Sequence, residues 1–285
     1  MSRGRITAGR YLGGRQFLML VPALLFLTIL FAYPLEDMLM RSVSGPAGLS
    51  AEHYRRLIDH PVYLKVFVIT FQIALSTTVL TLLVSYPLAY LMVTAPPRMA
   101  GLLMVLVLAP FFTSILVRTY SWMVILGAHG ILNQLLAVAS IGPATLLYNR
   151  AGVLIGMVYA LIPYMVLTLY SGMRGIDRSL LQAAHSLGAG HWRAFRHVFV
   201  PLTLPGVAGG ALLVFILALG YFVTPRLMGG THDQTVAMVI DQQVEIGGDF
   251  GFAAALAAIL LALTLVAFAV YDRLVGLKTL FESAP

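Results

Sequence analysis

From Phe250 to Tyr271 the chain reads FGFAAALAAILLALTLVAFAVY, without a single Asp, Glu, Lys or Arg. A helix needs about 20 mostly apolar residues to cross ~30 Å of hydrocarbon, and this run meets that length. Working outward, six more charge-free stretches appear: Gln16 to Leu35, Val66 to Pro97, Met99 to Val117, Thr119 to Asn149, Ala151 to Met173 and His197 to Pro225. Composition agrees with them. Of 285 residues 60% are hydrophobic and 10% charged, against about 25% charged in soluble domains. The chain therefore reads as one all-α membrane domain over residues 1–285. With no cysteine, a disulfide framework, a thiolate metal site and a cysteine nucleophile are all excluded.

Six of the seven stretches are expected to be spans. Thr119 to Asn149 is interrupted by Gly127, His129, Gly130, Asn133 and Gln134 and followed by Gly142-Pro143, which suits a short interfacial helix better than lipid-facing backbone. The third span is then expected around Met99 to Val117. Charge placement supports six, because inner loops are enriched in Lys and Arg. With both ends inside, the inner side carries Arg3, Arg5, Arg10, Arg15, Arg98, Arg174, Arg178, Arg193, Arg196, Arg273 and Lys278 against Asp177, Asp272 and Glu282. A seventh span would put the basic segment Arg174 to Arg196 outside. Residues 1–15 read as a basic cytoplasmic tail. The arginines before the first apolar run, with Ser42-Val43-Ser44 after it, resemble a secretory leader, but the run is longer than the usual 7 to 15 residues, so an uncleaved first helix is expected.

Three loops carry information. After the first span, Ser50 is placed to cap a short amphipathic helix from Glu52 to Ile58 on the membrane surface. The outer loop 228–249 opens with Gly229-Gly230 and carries Asp233, Asp241, Glu245 and Asp249, charges that either meet a cation or a docking protein or, as the simpler reading, are merely solvated. The inner loop 174–200 reads as helix, turn, helix. Asp177 or Ser179 caps a first helix from about Leu180 to Leu187, Gly188-Ala189-Gly190 makes the turn, and Trp192, Phe195 and Phe199 follow at i, i+3, i+7. Pro201 and Pro205 stand at the mouth of the fifth span, the second in its first turn.

Motifs of chemistry are missing. None of the seven histidines is followed by Glu, no Gly-x-Ser-x-Gly elbow exists, and Lys65 and Lys278 lack a glycine-rich phosphate loop. His185, His191 and His197 recur every six residues, on different faces of any one helix, and so do not make a metal site. Polar residues within the spans are hydroxyls and aromatics: Gln72, Ser76, Thr77, Thr78, Thr81 and Ser85 in the second, Thr113, Ser114, Arg118, Tyr120, Ser121 and Trp122 in the third, Tyr159, Tyr164 and Tyr170 in the fourth. Hydroxyls commonly bond backbone carbonyls or pack helices. An arginine at mid-helix costs roughly 2.5 to 3.5 kcal/mol, so Arg118 either lines a pathway or snorkels to the outer surface. Pro87, Pro110 and Pro163 are expected to kink spans two, three and four.

The inner loop is also specific as a motif: Gln182-Ala183-Ala184, three residues, Gly188, nine residues, Val198-Phe199-Val200-Pro201. This resembles the EAA loop of ATP-binding cassette (ABC) importer permeases, with Gln182 standing where the pattern has Glu. Pro110 to Ser114, Val117 to Tyr120, Gly130 to Asn133, Pro201 to Gly206 and Leu227 to Gly230 are similar to the spermidine/putrescine branch of that family, in particular its B-type subunits. The resemblance implies a six-helix type I ABC importer permease fold with both termini cytoplasmic in the bacterial inner membrane. It implies a second homologous permease subunit, two ATPase subunits below and a periplasmic solute-binding protein above, with membrane lipid around the spans and no nucleic acid. ATP and magnesium would act on the ATPases and no cofactor on this chain. Gln182, Ala183, Ala184, His185, Gly188, Ala189 and Gly190 would receive the ATPases' stroke, and alternating access would follow.

Thr113, Ser114, Arg118, Tyr120, Trp122, Tyr164 and Tyr221 are the candidate pathway. No carboxylate lies within the proposed membrane core, so a dication would find only hydroxyls and aromatic faces, the latter worth about 0.5 to 2 kcal/mol. Selectivity would then reside in the binding protein or the partner permease. A membrane enzyme would need a catalytic polar cluster, and an ion-coupled transporter a buried carboxylate; neither is legible.

Overall fold

The computed structural model describes residues 14–45, 48–140 and 142–275. Arg3, Arg5, Arg10, Lys278 and Glu282 lie outside them, and with them most of the expected basic tail. The helices are α1 (Gly14–Leu27), α2 (Tyr33–Ser42), α3 (Glu52–Asp59), α4 (Pro61–Thr94), α5 (Pro97–Leu108), α6 (Ile115–Leu126), α7 (Ile131–Val138), α8 (Arg150–Arg174), α9 (Arg178–Ser186), α10 (His191–Ala194), α11 (Val200–Leu219), α12 (Val223–Met228), α13 (Val236–Glu245) and α14 (Phe250–Val275). A π turn at Thr28–Ala32 joins α1 to α2, and another at Phe195–Phe199 joins α10 to α11. The one sheet among the described residues is a two-stranded ribbon pairing Ser44 with Leu49 and Gly45 with Gly48.

Six stretches are long and apolar enough to cross a membrane: Leu20–Ser42, Pro61–Thr94, Ile115–Val138, Arg150–Arg174, His191–Leu219 and Phe250–Arg273. The number agrees with the expectation, and an even number returns both ends to one side. The third differs in place. Instead of a helix over Met99 to Val117 and a surface segment after it, Pro97–Phe112 is a shorter apolar helix and the span-length stretch is Ile115–Val138. Pro110 has no N–H to give the helix. The chain tightens into a 3₁₀ turn over Ala109–Phe112 and leaves helical geometry at Thr113 and Ser114. The expected kink is thus a break. The residues expected in an interfacial helix instead form α7 within that span-length stretch, and its Asn133 is buried and bonds the carbonyls of Gly127 and Ala144.

The core lies where α4, α8 and α11 cross. Ile73 and Ala74 from α4, Met157, Leu161 and Met165 from α8, and Val214 and Ala218 from α11 are buried there. Close approach of α8 and α11 depends on Gly172 and Gly206, since a Cβ on Gly172 would stand 3.3 Å from the Gly206 Cα. Small residues at such crossings let two membrane helices share van der Waals contact. Hydroxyls behave largely as expected: Thr78 donates to the Ala74 carbonyl and Thr168 to that of Tyr164. Thr70 does more, donating to Val66 and accepting the Val236 N–H at 2.9 Å, so that a side chain of α4 caps α13. Helix α4 has 34 residues, about 51 Å at 1.5 Å each, and so extends well past the hydrocarbon. The first span is the opposite case. Phe26 and Phe31 are 64% and 70% exposed, and α2 touches the rest of the fold along α14.

The two ends of the bundle are built differently. At the outer end three of the four acids of loop 228–249 are paired, which corrects the reading of them as merely solvated, while Glu245 is exposed. Arg56 bonds Asp249 at 2.7 Å and lies over the Phe252 ring, Arg150 bonds Asp233 at 3.1 Å, and Arg226 bonds Asp241. The loop is itself largely helical as α13. Ser50 accepts the Glu52 N–H at the start of α3, as expected. Asp233 is 5% exposed and also accepts the Gly230 N–H. Replacing Arg150 with Met is expected to cost on the order of 2 kcal/mol, below the range for a fully buried pair because Arg150 is 42% exposed. A fall in thermal midpoint that Asp233→Asn partly restores in the double variant would check it.

Candidate functional site

At the inner end the hairpin forms as the sequence suggests, with sharper detail. Asp177 provides the cap: its Oδ1 accepts the Ser179 N–H at 2.8 Å, and α9 starts at Arg178. Hydrogen bonds from the Ser179 backbone and side chain hold the Asp177 carboxyl below its usual range. Helix α9 ends on bonds from Leu187 to Ala183, Gly188 to His185 and Ala189 to Ala184. Gly188 sits at φ +83°, the left-handed region where a Cβ is penalised. No residue of α9 is buried, and Leu187 and Trp192 are 90% and 70% exposed.

The seven hairpin residues do not share one surface. Ala184 and Ala189 line a groove of about 310 Å³ with Leu187 and Arg193, on the side between the two arms. Gln182 and His185 instead line a cavity of about 860 Å³ toward the inner ends of α4, α5 and α8. Ala183 is exposed, and Gly190 is extended backbone before α10. The tight turn brings the His185 and His191 rings to 4.9 Å, which helical spacing could not reveal. Among the described residues no cluster of three metal-ligating side chains occurs.

A ladder of rings ties the hairpin to the bundle. Trp192 stacks on Phe195 at 5.7 Å and Phe195 on Phe199 at 5.6 Å, and both phenylalanines meet the edge of Tyr90 near the inner end of α4. Phe199 is buried in the core. The second arm does not stop before the fifth span. It passes through the π turn into α11, where Pro205 is an interior residue rather than part of the first turn.

The candidate pathway residues are likewise divided. Arg118, Trp122 and Tyr221 line one narrow crevice of about 10 Å³, with Thr119, Tyr159 and Thr224. Arg118 is half-buried and its Nε is buried without a hydrogen-bond partner. Trp122 meets Tyr159 edge-on at 5.4 Å, and Thr119 stands 3.4 Å from Thr224. Tyr164 packs on Phe111 farther along α8. Thr113, Ser114 and Tyr120 are exposed away from the crevice. Ile115, Arg118, Thr119 and Trp122 repeat at i, i+3, i+4, i+7, so helical periodicity would have found Thr119 and set Tyr120 aside. Thr224 and Tyr159 carried no such signal. The crevice lies where two interrupted helices meet: α6 begins after the break at Thr113–Ser114, and α12 after the break at Gly220–Phe222. Arg118→Ala is expected to lower uptake severalfold while the thermal midpoint hardly moves. Unchanged uptake would leave the residue a structural role alone.

The chain matches the family described as the inner membrane component of binding-protein-dependent transport systems over residues 1–276. It is 36% identical over 261 residues to the spermidine/putrescine transport system permease protein PotB of Haemophilus influenzae, covering 90% of this chain and 88% of that protein. With PotB of Escherichia coli it shares 34% over 236 residues, covering 81% and 86%. The fold is similar to a bacterial ABC transporter involved in the import of the acidic polysaccharide alginate, with TM-score 0.69 at 17% identity over 92% of this chain and 96% of that one. It is also similar to the inward-facing MetNI methionine ABC transporter, with TM-score 0.60 at 16% identity over 74% and 94%.

Proposed function

The chain belongs to the inner membrane components of binding-protein-dependent transport systems, and from that premise we propose that it is the permease subunit through which an ATP-driven importer passes a polyamine such as spermidine or putrescine into the cytoplasm. The substrate class is supported by the PotB proteins, which it resembles over most of its length. The observation that carries the mechanism is the exposed hairpin α9–α10. Its apolar tip, Leu187 and Trp192, offers an ATPase a docking surface, and the ring ladder from Trp192 to Tyr90 leads from that surface into the packed core.

In this reading two ATPase subunits bind and hydrolyse magnesium ATP outside this chain, and one of them seats the hairpin. A second, homologous permease completes the passage, and a periplasmic binding protein delivers the solute at the outer end. Closure of the ATPases presses on the hairpin. The stacked rings and the continuous helix 191–219 transmit the motion, and the crevice at Arg118 and Tyr221 opens as α6 and α12 part. The solute meets hydroxyls, ring faces and the like charge of Arg118, with no counter-charge from this chain, so its passage is weakly bound and its selection is made before it enters.

The test is uptake into vesicles holding the complete transporter, with labelled putrescine presented on the binding protein. Accumulation that needs ATP inside and persists when ion gradients are collapsed supports the proposal. Accumulation driven by an ion gradient without ATP would overturn it. Failure with putrescine but success with another solute of the same binding protein would remove the polyamine assignment alone.

A further inference from the structure

We propose that the cavity between the hairpin and the inner ends of α4, α5 and α8 binds the phosphate headgroup of an anionic membrane lipid. The cavity, about 860 Å³, is large for a gap between packed helices and within the range of ligand sites. Its charged lining has one sign. Arg174 and Arg178 contribute it, Arg178 also donating to the Val93 carbonyl at 3.2 Å, while Gln182, His185 and His191 add hydrogen-bonding groups and no Asp or Glu is among the lining residues. The nearest acid in sequence, Asp177, is engaged with the Ser179 N–H.

A polyamine leaving the pathway would be repelled here, so the cavity is not its exit. An anion would be attracted. Much of the remaining wall is apolar, with Met92, Met104, Met173 and Phe199 beside the hydroxyl-bearing Tyr90, Thr94 and Tyr170, and the apolar part suits an acyl chain. Helix α5 forms one side of the cavity while its outer face, with Leu102 and Val105 exposed by 61% and 65%, is open to the bilayer. A basic pocket between membrane helices on the cytoplasmic side, floored by hydrocarbon, is the arrangement that anionic phospholipids occupy. Such a lipid would sit directly behind the hairpin and brace it against the bundle.

The complete transporter is reconstituted in vesicles of phosphatidylcholine and phosphatidylglycerol in equal amounts, extracted, and its retained lipid measured by native mass spectrometry. Enrichment of phosphatidylglycerol is expected on the unmodified protein. Arg174→Gln should retain about fivefold less, the weight of one basic residue near an anionic headgroup. Arg174→Lys should restore it, Gln182→Glu should lower it, and Arg98→Gln, outside the cavity, should leave it unchanged. Equal retention by Arg174→Gln and the unmodified protein would overturn the proposal. So would displacement of the lipid by soluble glycerol phosphate, which would assign the site to a free phosphate ester. The readout needs neither ATP nor solute, so its failure would leave the importer reading intact.

Discussion

Replacing Gly188 with Trp is expected to abolish ATP-driven uptake while the protein still inserts and folds. At φ +83° a side chain costs about 1 to 2 kcal/mol, an amount the six-helix bundle tolerates because the strain is local to an exposed turn. No atom stands within 4 Å of where a Cβ would be, so the new side chain starts into open space. It would instead project from the tip that Leu187 and Trp192 flank, into the volume that a docked ATPase would fill. Gly188→Ala separates the two effects. It carries the same backbone strain with little bulk, and should keep most of the uptake. The measurement is uptake alongside co-purification of the ATPase. Normal uptake with retained ATPase in the Trp variant would remove the docking role of the hairpin.

Gly172→Leu should act on the opposite property, leaving little assembled protein to assay. Its Cβ would meet the Gly206 Cα at 3.3 Å, and the neighbour is backbone, which has no rotamer to yield. Overpacking in a core that can shift side chains costs about 1 to 3 kcal/mol. Here the remaining Leu atoms must enter a helix crossing, so α8 and α11 have to separate and the close packing of Met165 on Gly210 loosens with them. Gly172→Ala is the graded control, needing only a few tenths of an ångström. Yield after membrane extraction and the thermal midpoint of what remains should fall in the order Gly, Ala, Leu. A Leu variant with the unmodified midpoint would show that the crossing does not need small residues.

What the sequence made legible follows from the range of the forces involved. Hydropathy and loop charge are sums over neighbours in the chain, and the number of candidate spans came from them. The i, i+3, i+7 spacing of Trp192, Phe195 and Phe199 foretold the stack because one helical face is a local matter. The break at Thr113–Ser114 was misjudged as a kink: Pro110 announces a lost hydrogen bond, but whether the helix bends or stops depends on what packs beyond it. The outer ion pairs were invisible for another reason. Arg56 and Asp249 are 193 positions apart, and nothing in either neighbourhood names the other. The candidate pathway residues do not share one surface because they include a contiguous run rather than a face, joining Tyr120 to Arg118 although only Arg118 lines the crevice.

The π turn at Phe195–Phe199 closes on a bond from the Val200 N–H to the Phe195 carbonyl, one residue wider than an α-helical turn. Deleting Val198 would let the ladder relax to the regular pitch and swing everything ahead of it by about 100° around the helix axis. The surplus residue therefore sets the compass bearing of the cytosolic arm, and a mutant shortened there would keep every side chain of the tip yet aim it at the wrong quarter.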